Sequence, residues 1–273
     1  MTPDPQTPSS SPPARLRLLI VNINHSPLMT DGCEAIAAAF ERVAGSPEAL
    51  VAGKRSALFA SEGIETRVRS WRTLLDPSGA LASDLARWSP SAVVLGPNET
   101  PFPAYPAAFD RFLGWVRARR GPTLGICGGH QAIALAHGAP VAPVHDVPAA
   151  STSYAGMPRV TGPIRIRLMG DPDPLVADLP EEFDVMASHV DEVKDLPVGF
   201  RVLAIGSPSR IQILRADRRP LWGVQFHPER PHPTAEVQIG DQLLGNFLAF
   251  VRAWRTRFPQ TGMYDRPGDP PSE

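Results

Sequence analysis

The sequence predicts an α/β fold: an open, mostly parallel sheet with flanking helices, and antiparallel strands in its second half. Three observations predict it. Continuous apolar runs at Leu16–Asn22, Ala92–Leu95 and Pro122–Ile126 read as strands buried on both faces. Amphipathic helical patterns alternate with these runs, and that alternation implies a parallel sheet with right-handed crossovers. After Gly138 the strand signals follow one another with little room for helices, as antiparallel ribbons do.

The elements follow in order. Residues 1–14 are Pro/Ser-rich without an apolar period and are expected to be a disordered tail. The ordered domain is expected over 15–257. Its first strand, Leu16–Asn22, ends in unbroken apolar residues. Asp31–Ala44 carries Ile36, Ala37, Phe40 and Val43 at helical spacing. A second helix is expected around Ser56–Ala60, then a short strand at Thr66–Ser70. Ala92–Leu95 stops at Gly96-Pro97. Pro106–Arg120 is amphipathic through Phe109, Phe112, Leu113 and Val116. Gln131–His137 reads as a helix ended by Gly138. Five short strands are expected at Ile164–Leu168, Phe183–Ala187, Arg201–Ile205, Ile211–Leu214 and Leu221–Phe226. A last helix, Gly240–Arg255, repeats Leu243, Leu244, Phe247, Phe250, Val251 and Trp254 along one face. Residues 258–273 turn polar and Pro-rich again, so this end is expected to be loose.

Composition narrows the function. The 273 residues are 42% hydrophobic, enough for a sizeable core, and the formal net charge is -1. A nucleic-acid partner is therefore not indicated. No apolar run is long enough to span a bilayer, and no signal peptide is legible. The 2 cysteines, Cys33 and Cys127, form neither a disulfide framework nor a metal-ligand cluster. No metal and no cofactor is expected. A reducing cytoplasm fits a chain with free thiols.

The chemistry centres on Gly125-Ile126-Cys127-Gly128-Gly129, a strand-to-helix turn with a cysteine between small residues. This is the nucleophile-elbow pattern with sulfur in place of a serine oxygen. The following helix directs its N-terminus at the sulfur and favours thiolate over thiol. The Gly128 amide is placed to face an oxyanion. A buried structural cysteine would also satisfy the turn, so the partners decide.

Trp222 to Glu229 supplies them. Val224 and Phe226 alternate along a strand, and His227 leaves its end. Pro228 biases His227 toward extended geometry. Residues i and i+2 of an extended segment point to one side. His227 and Glu229 then project together, the carboxylate holding one ring nitrogen while the other faces the sulfur.

These residues carry a resemblance. Gly125-Ile126-Cys127-Gly128-Gly129-His130-Gln131, taken with Gly223-Val224-Gln225-Phe226-His227-Pro228-Glu229, resembles the class I (triad) glutamine amidotransferases, whose fold is flavodoxin-like. Met186-Ala187-Ser188-His189-Val190-Asp191-Glu192-Val193 and the Leu196–Ala204 stretch are similar to the glutaminase domain of GMP synthetase. Val94-Leu95-Gly96-Pro97 resembles the family's oxyanion strand. The resemblance implies Cys127 as nucleophile, His227 as base and acid, and Glu229 as orienter. It implies the amides of Gly96 and Gly128 as oxyanion donors. Gln131, Ser188, His189 and Val190 would hold the amino-acid end of the substrate. Three features depart from the family. Gly128 stands where a large residue is usual, which leaves room for a wider acyl pocket or a looser amide. The first strand runs on as Asn22-Ile23-Asn24-His25-Ser26. Residues 25–63 are longer than the family needs and are open to reading as a partner surface or a cover. Cys33, inside them, reads as a small packing residue.

The activity implied is glutamine hydrolysis through a γ-glutamyl thioester, with ammonia passed to a separate synthase. No Gly-rich ATP-binding loop of the synthetase type is present, so the acceptor chemistry is expected elsewhere. Two other functions stay open on the same residues: a free-standing γ-glutamyl amide or peptide hydrolase, and a non-catalytic scaffold on this fold.

Overall fold

The structure is a computed structural model that describes residues 15–45, 63–76, 80–145 and 152–258. Both expected tails, save Phe258, and the helix expected around Ser56–Ala60 lie outside these residues.

The chain begins with β1 (Leu16–Asn22), α1 (Asp31–Gly45), β2 (Ile64–Ser70), α2 (Trp71–Leu74), α3 (Ala80–Trp88) and β3 (Ala92–Leu95). It continues through α4 (Ala108–Ala118), β4 (Thr123–Ile126), α5 (Gly128–Ala136) and β5 (Val141–Pro143). The second half holds β6 (Val160–Leu168), β7 (Glu182–His189), β8 (Asp191–Val193), β9 (Phe200–Gly206), β10 (Ile211–Ala216), β11 (Leu221–Val224) and α6 (Ile239–Arg257). One 9-stranded sheet has the order β2-β1-β3-β4-β11-β10-β9-β6-β7, and β5 pairs with β8 in a small ribbon. The pairs from β2 to β11 are parallel, and those from β11 to β7 are antiparallel.

The alternation of side chains across the sheet sorts the core into two layers. Leu18, Ile20, Val94, Ile126, Trp222 and Val224 face one side, where α1 and α6 cover them with Phe40, Leu244 and Phe247. Leu19, Val21, Val93 and Leu95 face the other, beneath Trp71, Leu85, Phe112 and Ile133 of α2 to α5. Strands buried on both faces have no polar alternation to show, which is why they read as continuous apolar runs.

Several expectations shift. Leu221–Phe226 is expected among the antiparallel ribbons, but β11 lies parallel to β4, with Gly223 opposite Gly125 and Val224 opposite Ile126. It is the chain's return to the parallel half. α5 starts at Gly128 instead of Gln131, directly after the elbow. α2 and α3 carry no strong periodic signal; α2 is fixed by Trp71, fully buried and edge-on to Phe109 at 5.0 Å. Of the long 25–63 segment, residues 25–45 and 63 are described, and residues 25–30 lie at the end of β1, where the Pro27 and Met29 carbonyls accept from Asn22 and Asn24. α1 lies on the face it shares with α6, where Arg42 forms a two-pronged hydrogen bond to Asp241 at 2.6 and 3.2 Å. Cys33 packs as expected, fully buried in α1 and in contact range of Gly96.

Candidate active site

The elbow is built by close approach. A side chain on Gly125 would run into the Gly129 carbonyl, and one on Gly129 into the Leu95 carbonyl. Strand β4 and helix α5 therefore come closer than any larger residues permit. Cys127, between them, takes φ 51° and ψ -104°, a left-handed conformation unusual for a residue with a side chain. Its amide donates to the Val224 carbonyl at 2.8 Å, which ties the elbow to the end of β11. As the first residue of α5, Gly128 has an amide with no acceptor among the described residues.

The base comes from the segment after β11. Phe226 is fully buried in the core, and the His227 amide donates to the Met186 carbonyl at 2.8 Å. These contacts aim the imidazole. Nδ1 of His227 donates to Oε1 of Glu229 at 2.6 Å. Nε2 of His227 lies 3.4 Å from the Ser188 carbonyl, and Sγ of Cys127 lies 3.8 Å from the same oxygen. Sulfur and base thus meet at one backbone carbonyl. Cys127, His227 and Glu229 are 3%, 2% and 4% exposed, so the three work in a dry environment.

Burial alone would lower the affinity of His227 for a proton. The Glu229 carboxylate, and next the Cys127 sulfur, outweigh it and raise the imidazole from its ordinary 6.5 to about 10. The protonated ring is then the favoured form of His227, a proton donor held beside the Cys127 sulfur.

The substrate-end candidates fall into place unevenly. Nε2 of Gln131 donates to the Asp191 carbonyl at 2.6 Å and to Oε1 of Gln225 at 3.2 Å. Only its carbonyl oxygen remains to meet a ligand. Ser188 and His189 end β7, and Ser188 presents its carbonyl to the sulfur. His189 is neutral: burial lowers it to about 4, and its Nδ1 faces the Asp191 carbonyl at 3.2 Å. The Val190 carbonyl is taken by the Val144 amide at 2.9 Å.

The Gly96 amide continues the β1–β3 ladder in this structure and donates to the Val21 carbonyl at 2.9 Å. One expectation is corrected: Gly128 does not open a wider acyl pocket. A Cβ there would collide with Asn98, whose side chain and backbone occupy that space.

The structure also brings in residues that the sequence reading passes over. Gln225 is fully buried, with Nε2 4.0 Å from Sγ of Cys127. Its signal is a polar residue between Val224 and Phe226. Tyr154 donates its hydroxyl to Oδ2 of Asp191 at 2.6 Å. Burial, then the Asp191 charge, push the Tyr154 phenol upward, with the Cys127 charge a smaller contribution. His130 fills the space above Gly223, where a Cβ would fall 2.7 Å from its Nδ1. Burial lowers His130 to about 3, which favours the neutral ring in this packing role.

Comparison with known proteins gives a consistent picture. The family model described as Glutamine amidotransferase class-I matches residues 82–246. The chain is 39% identical over 131 residues to a subunit of the glutamine-hydrolysing GMP synthase of Archaeoglobus fulgidus, covering 48% of this chain and 62% of that one. It is 37% identical over 126 residues to the protein of the same name from Methanocaldococcus jannaschii, covering 46% and 58%. The alignment thus spans about three-fifths of the length of these relatives. Among solved structures, a putative GMP synthase subunit from Thermoplasma acidophilum superposes with a TM-score of 0.60 at 22% identity, over 89% of this chain and 98% of that one. A glutamine amidotransferase from Thermotoga maritima gives 0.55 at 17% identity, over 87% and 98%. At those identities the likeness is one of fold.

Proposed function

The chain belongs to the class-I glutamine amidotransferase family, and from that premise we propose that it hydrolyses the side-chain amide of glutamine at Cys127 and passes the ammonia to a separate synthase. One observation carries the reading. The His227 ring is held by Glu229 at 2.6 Å on one side, while its other nitrogen and the Cys127 sulfur face the same Ser188 carbonyl.

The thiolate of Cys127 attacks the carboxamide carbon. The resulting oxyanion meets the Gly128 amide at the start of α5. His227, already protonated, gives its proton to the nitrogen as the C–N bond breaks, and ammonia leaves a γ-glutamyl thioester. Acylation removes the sulfur's negative charge, one of the two main contributions that keep His227 protonated. The imidazole then becomes a better base at the moment a water must be activated. His227 takes a proton from that water as it attacks the thioester, and the sulfur leaves as thiolate, which releases glutamate and returns the starting pair. Gln131, Ser188, His189 and Val190 are assigned to the amino-acid end. The carboxylate of Asp191 and the carbonyl oxygen of Gln131 suit an α-ammonium there. A reducing, cytoplasmic compartment would keep Cys127 available.

Relatives named as one subunit of a glutamine-hydrolysing GMP synthase support a division of labour in which another chain uses the ammonia. The γ-glutamyl hydrolase reading has less behind it, since Asn98 fills the space that Gly128 would have given to a larger group. A purified-chain assay tests the choice. Release of ammonia from glutamine at least as fast as cleavage of a bulkier γ-glutamyl conjugate is expected. Rapid, partner-free cleavage of the conjugate, with glutamine much slower, would overturn the ammonia-donor reading.

A further inference from the structure

We propose that Arg159 reads the α-carboxylate of glutamine, so that the amino-acid end of the substrate lies between two opposite charges, Arg159 and Asp191. The inference rests on the glutaminase reading above and names a specificity-determining residue for it.

An α-amino acid carries an ammonium and a carboxylate on one carbon, and a site that prefers it to a neutral amide must answer both charges. The anionic half is in place. Asp191 is 5% exposed, and its Oδ2 accepts the Tyr154 hydroxyl at 2.6 Å, which fixes the carboxylate. The cationic half has to reach the same end of the site, and Arg159 does. In the β6–β7 pair, Val160 stands opposite His189 and Thr161 opposite Ser188. Arg159, one residue earlier, is therefore level with the segment that runs from His189 to Asp191. Its charge is felt there. Burial is the main cause of the lowered His189 ring, and Arg159 adds to it.

On its other side, Nη2 of Arg159 lies 3.6 Å from Oε2 of Glu99. Glu99 belongs to the loop beside the elbow. Its amide donates to Oδ1 of Asn24 at 2.9 Å, and the preceding Asn98 nitrogen lies 2.6 Å from where a Cβ of Gly128 would stand. The guanidinium thus bridges from the elbow loop to the Ser188–Asp191 segment. Two other nearby cations are committed elsewhere. Lys194 is paired with Glu192 at 2.7 Å, and Arg230 lies against Glu229, on the side of the imidazole turned away from the sulfur.

The pair with Glu99 is loose. At 3.6 Å it is an approach of charges outside hydrogen-bond range, between side chains that are 34% and 43% exposed. Pairs of this kind contribute little to stability. Among the described residues no hydrogen bond engages the five N–H donors of Arg159. A planar fork with free donors suits a carboxylate, which accepts two parallel N–H bonds from it. The α-carboxylate then replaces a weak partner with a bidentate one. Because this end of the substrate does not react, the contact acts equally on ground state and transition state and belongs to KM, not kcat.

The test uses the full chain. Arg159→Met is expected to raise the KM for glutamine roughly tenfold to a hundredfold, the worth of a hydrogen-bonded charge pair, with little change in kcat. Arg159→Lys is expected to recover part of that loss. The parent should prefer glutamine to its α-amide, in which the α-carboxylate is a neutral carboxamide, and Arg159→Met should lose that preference. Glu99→Gln breaks the same ion pair but keeps the guanidinium, and its KM is expected to be no higher than the parent's. A second measurement does not depend on turnover: calorimetric titration of glutamine into Cys127→Ala, where adding Arg159→Met should weaken binding by the same factor. An unchanged KM or an unchanged preference in Arg159→Met overturns the proposal. So does an equal rise in Glu99→Gln, which would make the ion pair a brace between two loops. A parent chain that neither hydrolyses glutamine nor, as Cys127→Ala, binds it would sink the glutaminase reading itself, a result distinct from an Arg159 variant that behaves as its parent.

Discussion

The two cysteines differ in everything that controls reactivity. Cys33 is fully buried, and burial followed by the nearby Glu229 charge pushes its thiol up to about 12. Cys127 has a helix N-terminus and an imidazolium beside it. The chloroketone analogue of glutamine should therefore alkylate Cys127 and spare Cys33, which peptide mapping by mass spectrometry reads directly; a main adduct on Cys33 would contradict the assignment. The base gives a second expectation. Because the folded value of His227 is raised to about 10, the pair favours the protonated ring, and the advantage is lost as pH rises toward that value. The kcat/KM for glutamine should carry an alkaline limb near pH 10, set by loss of the imidazolium proton. Glu229→Gln removes the leading charge that raises it and should move the limb toward the ordinary 6.5. The stability contributed by this ring has the same sign, complete below 6.5 and lost through about 10. A limb that does not move in Glu229→Gln would show that another group sets it. Turnover should nearly vanish in His227→Ala and fall less in Glu229→Gln, because the ring moves protons in both half-reactions while the carboxylate orients it.

At the scale of elements, what positions His227 is β11, and β11 is anchored at its far end by Asp173. The buried Asp173 carboxylate accepts from Nε1 of Trp222 at 2.9 Å, Nε of Arg215 at 3.1 Å and Nη2 of Arg201 at 3.1 Å. Its side chain is 1% exposed. Asp173→Ala leaves a buried guanidinium and an indole N–H without their acceptor, and should cost about 3 kcal/mol in denaturant unfolding. A loss under about 0.5 kcal/mol, the size usual for surface substitutions, would mean that solvent replaces the carboxylate. The sequence makes some of these elements legible and hides others for physical reasons. β1, β3 and β4 announce themselves because burial on both faces leaves unbroken apolar runs. The elbow helix begins three residues before its expected start, since Gly128-Gly129 reads as a turn when the close approach to Leu95 is unseen. β5 and β8, at 3 residues each, are too short for any period to show. The parallel pairing of β11 is illegible because a strand's own residues do not record its neighbour. The triad is legible in Cys127, His227 and Glu229 because spacing alone aligns the last two. That the Gly96 amide extends the β1–β3 ladder is illegible in its motif, because ladder bonding depends on β1, far earlier in the chain.

The molecule as a whole places Cys127 and His227 just past the C-terminal ends of β4 and β11, the edge where open parallel sheets place their sites. Ammonia is mostly ammonium at neutral pH and a poor nucleophile once free, so release without an acceptor serves little. Under the proposed division of labour, the isolated chain is expected to hydrolyse glutamine slowly and an added synthase to raise kcat about a hundredfold, the size of one well-placed transition-state hydrogen bond. Steady-state glutaminase assays with and without the synthase measure this; equal rates would exclude partner control. The pairing of β4 with β11 has one more consequence, and it concerns time. Gln225, beside the sulfur, follows Cys127 by 98 residues. At the ribosome that separation lasts roughly 5–20 s. Throughout it the nascent chain carries a nucleophile without a base, on a strand whose apolar edge has no neighbour and is open to mispairing. Chains that stop short of β11 therefore lack the Val224 carbonyl that ties down the elbow, and the turn at Cys127 is completed only when synthesis reaches the return strand.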